Sequence, residues 1–178
     1  MSGDNKVQWS KQNYNLLEYF WSTSVLSAKN EKNLPHLIKQ ADLFVDFSEL
    51  EIFELTKYIH VRNFSKGEVV FDSDDYGIGF YIILSGSIEI TSNSNDDKIQ
   101  LYPGMYFGEK SLILEKTKRN VDATATNMAT LAAILGPDLD NLISKNPKVA
   151  AKLIRKIAQI SLKRLDEVER SLLGQKEG

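Results

Sequence analysis

Glu109 and Arg119 stand ten residues apart and frame the stretch Tyr106-Phe107-Gly108-Glu109-Lys110-Ser111-Leu112. Their chemistry is complementary. Arg119 carries a planar, permanently charged fork suited to phosphate. Glu109 cannot partner an anion and is free to accept hydrogen bonds from sugar hydroxyls. Gly108 lets the backbone bend sharply or approach a ligand with no side chain in the way. Residues 109–114 read as one short helical turn whose free N–H groups favour an anion. N–H donors and an arginine for phosphate, with a carboxylate for ribose, describe a nucleotide pocket. A Phe-Gly-Glu run plus an arginine is also a pattern that chance supplies often, as a tight turn with solvated charges. The elements around it must decide.

Those elements belong to a chain of 178 residues, about the size of one domain and long enough to bury a core. Apolar residues at 42% and charged residues at 26% are ordinary globular proportions. A net charge of −2 argues against a surface built to coat nucleic acid. The absence of cysteine removes disulfides, thiolate catalysis and Cys-ligated zinc together. No leader pattern opens the chain, and its longest apolar-leaning run, 16–26, is interrupted by Glu18, Ser22, Thr23 and Ser24. The expected location is the cytoplasm, with no membrane partner.

Tyr14, Leu17, Phe20, Trp21 and Val25 recur at helical spacing and predict an aromatic-faced helix over 11–28 that packs on the core or a partner. A second helix starts at Leu34-Pro35, and an apolar hinge, 43–47, leads to Ser48. Ser48 and Glu51 have the spacing of a capping box, and the helix after them carries Leu50, Phe53, Leu55 and Ile59. The pattern then turns to short strands: 58–64, 68–71, 79–84, 87–91, 98–102, 121–126 and 130–135. Turn residues at Lys66-Gly67, 72–77, Ser85-Gly86, 93–97 and Pro103-Gly104 separate them. About eight short strands at regular spacing predict a small antiparallel barrel or jelly roll. Helix returns after Gly136-Pro137, with Asp138 as cap of a short helix to Lys145. Asn146-Pro147 begins a long one that stops near Gly174. On it Ile154, Ala158, Ser161, Leu165, Val168 and Leu172 form a near-heptad seam.

Phe107 to Arg119 resembles the phosphate-binding cassette of cyclic nucleotide-binding domains, and its Glu-to-Arg spacing is similar to that of the catabolite activator protein branch. Residues 64–71 and 80–88 resemble two further blocks of the family, and Gly104 stands where the family places a glycine. The resemblance implies a mostly β fold with flanking helices (α+β): an antiparallel β-roll with N-terminal helices and a long C-terminal helix. Residues 1–33 would be a tail and amphipathic helix, 34–146 the roll, and 147–178 the C-terminal helix, serving as lid and dimer seam.

The function so implied is that of a sensor and not an enzyme. It would bind cAMP or cGMP, use no metal, and signal to an effector protein through movement of the C-terminal helix. Arg119 would pair with the cyclic phosphate and Glu109 with the ribose 2′-hydroxyl. Gly108, Lys110 and Ser111 would present backbone N–H groups beside Phe107, Asn120 and Val121. Ser161 and Arg164 would be the polar base contacts from the helix. A homodimer through that helix is expected.

This sequence departs from the family pattern at Asn120, at Asp122 where Thr is common, at Asp74 where the turn usually has Gly, and at Ile78. Asn120 and Asp122 share one side of a strand, so a carboxylate is expected to face the phosphate and weaken it. Lys118 could replace Arg119 if the register is one residue tighter. The alternative function is a fold that has lost its ligand and serves as a dimeric interaction module. DNA binding is not expected, since four residues after Gly174 leave no room for a recognition helix. Gly77-Ile78-Gly79 is no dinucleotide fingerprint. The two histidines, without cysteine, make a poor metal site.

Overall fold

A computed structural model describes residues 33–92, 97–114 and 117–174. The expected aromatic helix over 11–28 and the turn residues 93–96 lie outside the described residues. Helix α1, Leu34–Lys39, has Pro35 in its first turn and buries Leu34 and Ile38, one helical turn apart. A 3₁₀ turn, Asp42–Phe44, drives Leu43 and Phe44 into the core. Ser48 caps helix α2, Glu49–Thr56: its hydroxyl accepts from the Glu51 amide at 3.3 Å, and the Glu51 carboxylate accepts from the Ser48 amide at 2.7 Å. The buried face of α2 is Ile52 and Leu55, while Leu50 and Phe53 are exposed. The expected apolar face mixed two sides of the helix. Leu50 lies two residues from Ile52, about 200° around the axis.

Eight strands follow among the described residues: β1 His60–Phe64, β2 Val69–Phe71, β3 Gly79–Ser85, β4 Ile88–Ser92, β5 Lys98–Leu101, β6 Tyr106–Phe107, β7 Val121–Ala125 and β8 Ala129–Leu135. One-turn helix α3, Lys110–Ile113, lies between β6 and β7. The strands make two four-stranded sheets, ordered β1-β8-β3-β6 and β2-β7-β4-β5, and every pairing is antiparallel. Two apolar clusters meet at β3. Phe80, Ile82 and Leu84 face the helices; Tyr81 and Ile83 face the space between the sheets. A strand buried on both faces reads as a continuous apolar run, which is how residues 79–84 look in the sequence.

In the 72–77 turn, Asp74 adopts φ 69°, the left-handed region. A Cβ there costs about 1–2 kcal/mol for ordinary residues, and less for aspartate. Asp74→Gly should therefore raise stability by up to about 1 kcal/mol after the entropy of glycine is set against it. A urea-denaturation midpoint that falls or stays unchanged contradicts this.

Helix α4, Gly136–Lys145, begins earlier than the sequence suggests. Gly136 and Pro137 are inside its first turn. The Asp138 carboxylate reaches back to accept from the Leu135 amide at 3.3 Å and pairs with His60 Nε2 at 2.9 Å. Pro137 suits this position because the first turn needs no intrahelical donor. Asn146 caps helix α5, Pro147–Gly174, its side-chain oxygen accepting from the Val149 amide at 3.3 Å.

The packed face of α5 lies beside the expected seam, whose outer residues are left exposed. Val149, Ala150, Leu153 and Ile157 are buried, Ile154 and Ile160 pack partly, Ser161 is half-buried, and Ala158, Leu165 and Val168 are exposed. Leu172 is outside the side chains described. The spacing of four repeats on both stripes of this helix, and only the neighbouring apolar hinge selects between them. No helix among the described residues is long and apolar enough to cross a membrane.

The base of α5 is tied to the hinge. Lys152 Nζ donates to the Asp46 carbonyl at 2.8 Å and to Glu51 Oε2 at 2.7 Å, and lies 4.7 Å from the Phe47 ring centroid. Lys156 pairs with the Asp46 carboxylate. Hydrogen bonds from these lysines hold the Asp46 and Glu51 carboxyls below their ordinary pKa values. A depressed folded pKa means that the contribution is present above the unfolded value, about pH 4, and is lost as pH falls through the folded value. Melting midpoints measured from pH 6 to pH 3 should therefore fall less steeply in Lys152→Met/Lys156→Met than in the parent chain. Equal slopes contradict the assignment.

Candidate functional site

Arg119 is placed by its own backbone. Its amide donates to the Asp75 carbonyl at 2.8 Å, and its carbonyl accepts from the Asp74 amide at 2.9 Å. The side chain is thereby turned inward, and the residue is 7% exposed. Nη2 donates to the Gly79 carbonyl at 2.8 Å and Nη1 to the Gly108 carbonyl at 3.2 Å. The guanidinium carbon lies 4.1 Å from the Phe71 ring centroid and 5.6 Å from that of Tyr81, a cation–π arrangement. Phe71, Tyr81 and Phe107 in turn pack on one another. Burial pulls the Arg119 pKa down from its ordinary value, and the Tyr81 hydroxyl, Glu109 and Asp75 oppose that pull. Among the described residues no carboxylate forms an ion pair with Arg119, and its Nε has no hydrogen-bond partner.

Gly108 makes this possible. It adopts φ 82°, and a Cβ there would lie 2.8 Å from Arg119 Nη1 and 3.1 Å from the Gly79 carbonyl oxygen. Helix α3 follows at once but is a single turn, too short to sum the peptide dipoles of a full helix. The Ser111 amide donates to the Gly108 carbonyl at 3.2 Å, so it is not held open for a ligand as expected. The buried positive charge of the site is Arg119.

A cavity of about 190 Å³ opens beside the guanidinium, lined by Phe107, Gly108, Glu109, Lys110, Ser111, Arg119, Asn120 and Val121, together with Phe71, Ile90 and Lys118. Eight of the ten residues expected from the sequence meet around this one space. Phe71 and Ile90 were not anticipated; they come from strands β2 and β4, and inward alternation on those strands is the only signal that could have found them. Lys118 is exposed, bridges to Tyr76 and reaches Asp74 at 3.5 Å, while Arg119 points inward. The tighter register is thus not adopted.

Ser161 and Arg164 do not line the cavity. Arg164 reaches it at one remove: Nη1 donates to Glu109 Oε1 at 3.0 Å, and its guanidinium lies 4.8 Å from the Tyr106 ring centroid. Asp122 also differs from expectation. Its Oδ1 accepts from the Ser73 amide at 2.6 Å, so it secures the 72–77 turn and does not face Arg119. Val121, Ala123 and Ala125 take the inward positions of β7, which sends Asp122 to the other side. Asn120 is exposed at the cavity edge.

The fold is thus an antiparallel roll with helices at both ends and a buried arginine beside a cavity. Residues 61–146 match the sequence profile described as the cyclic nucleotide-binding domain. That segment is a cyclic nucleotide-binding domain as the profile describes it. It is 26% identical over 130 residues to a CRP-like cAMP-activated global transcriptional regulator of Mycobacterium tuberculosis, a match covering 71% of this chain and 58% of the relative. It is 34% identical over 107 residues to a cAMP-dependent protein kinase regulatory subunit of Schizosaccharomyces pombe, covering 60% of this chain and 26% of the relative. The fold superposes on the catabolite activator protein of Thermus thermophilus with a TM-score of 0.66 at 25% identity, covering 75% of this chain and 62% of that one. The chain thus spans between about a quarter and three fifths of these relatives.

Proposed function

We propose that this chain is a receptor for a 3′,5′-cyclic nucleotide, cAMP or cGMP, that regulates an effector protein and catalyses no reaction. One observation carries the reading: a buried guanidinium with no carboxylate partner at the wall of a cavity. A buried cation is costly without a counter-charge, and a cyclic phosphate supplies one. Arg119 would take the phosphate, Glu109 the ribose 2′-hydroxyl, and the Gly108 and Lys110 amides the remaining oxygens, with Phe107, Ser111, Asn120 and Val121 around them.

At about 190 Å³ the cavity is smaller than the ~300 Å³ at which ligand pockets usually begin. It suits the sugar-phosphate end of a nucleotide, and the base must be met by an element that closes after binding. Helix α5 is positioned for that. The Arg164–Glu109 pair joins it to the carboxylate that a ribose would engage, so ligand would shift the helix by rewarding one of its positions over another. In this reading 34–146 forms the binding unit and 147–178 the output. The exposed Leu162, Leu165 and Val168 on α5 suit a two-fold pairing of helices in a homodimer.

A second reading has one observation in its favour. Glu109 is engaged by Arg164 and Arg119 by two carbonyls, as in a fold that serves as an interaction module without ligand. A melting scan with cAMP and with cGMP separates the two. Stabilisation of about 2.7 kcal/mol at a hundredfold excess over Kd supports the receptor. No shift with either nucleotide, in protein shown free of carried-over ligand, supports the module.

A further inference from the structure

Gly77 does not line the cavity, yet it stands directly behind it. A Cβ added there would lie 1.7 Å from Ser111 Oγ, 2.3 Å from Ser111 Cβ and 3.1 Å from Arg119 Cζ. The Ser111 side chain therefore fills the notch that the missing Cβ leaves, with the guanidinium of Arg119 against the same spot. The two sides of this contact are unequally held. The turn that carries Gly77 is stitched down: the Gly77 amide donates to the Thr117 carbonyl at 2.9 Å, Arg119 exchanges two backbone hydrogen bonds with Asp74 and Asp75, and the Ser73 amide is taken by Asp122. Ser111 sits on a single turn of helix. An intruding methyl would displace the weaker side, which is the Gly108–Ser111 wall and the seat of Arg119.

We infer that Gly77 and Ser111 are a size-matched pair, and that Gly77 is a positioning residue for the anion-binding arginine. The inference rests on the nucleotide reading of the cavity. Its test compares Gly77→Ala with Gly77→Ala/Ser111→Gly in the full chain. Cyclic nucleotide affinity is read by titration calorimetry, and the buried Arg119 Nε–H by its NMR resonance in ligand-free protein. Gly77→Ala should weaken binding by about a hundredfold, the scale of a 1 Å misplacement. Removing the Ser111 side chain should recover at least about tenfold, the coupling expected of residues in contact. The Nε–H resonance should be slow to exchange in the parent, lost in Gly77→Ala and present again in the double variant.

Parental affinity in Gly77→Ala overturns the inference, as does a loss that Ser111→Gly does not relieve. Should the parent bind neither nucleotide, the proposed function falls and the Nε–H resonance decides: unchanged exchange in Gly77→Ala overturns the pairing. If Gly77→Ala does not fold, a double variant that folds supports the pair and one that remains unfolded overturns it.

Discussion

Arg119→Ala should leave a folded protein whose melting point no longer responds to cAMP or cGMP. The substitution removes the one buried cation at the cavity wall and with it both hydrogen bonds to the Gly79 and Gly108 carbonyls. At a hundredfold excess over the parental Kd, the lost stabilisation is about 2.7 kcal/mol. Charge-assisted hydrogen bonds are about twice as strong as neutral ones, and the other cations at the cavity, Lys110 and Lys118, are exposed and screened by solvent. Arg119→Lys should recover only part of the response, because an ammonium cannot span two carbonyls and a phosphate as a planar fork does. Full ligand response in Arg119→Ala would remove Arg119 from the site.

Leu153→Ala should lower stability by about 2–5 kcal/mol, the range for deleting a fully buried leucine side chain. Leu153 is completely buried in the cluster that also holds Phe44, Phe47, Ile52 and Ile157, and so it joins α5 to the hinge and α2. The denaturation midpoint measures the loss. A change under about 1 kcal/mol, the size of a surface substitution with some strain relief, would mean that α5 is not held by this face. Leu165→Ala serves as the contrast: Leu165 is exposed, and its removal should change the midpoint of the isolated chain little.

Local signals were legible where they are local. Ser48 with Glu51, Asn146 with Pro147, and the glycine-bearing turns all act on neighbours within four residues, and the structure has them in the expected places. The two-sheet roll follows from strand lengths and turns, with ends differing by one or two residues. Errors arose where a residue had two faces to choose from. Leu50 and Phe53 share helical spacing with the true core of α2. Periodicity identifies a stripe but not the direction in which it points, because that depends on a surface contributed from elsewhere in the chain.

The site divides in the same way. Sequence alone determined its residue types and spacing: a carboxylate and a guanidinium ten residues apart, with a glycine ahead of them that any close approach requires. Only the tertiary structure decided what each of them touches. Asp122 looked like a repulsive neighbour of the phosphate and is instead the acceptor for Ser73, 49 residues away. Arg164, expected as a base contact, holds Glu109 across 55 residues in this structure. Gly77 had no visible role until Ser111 was found in its notch. Each of these contacts is set by the register between strands, and by the angle at which α5 crosses the hinge. Those are properties of packed surfaces that no window of neighbouring residues contains.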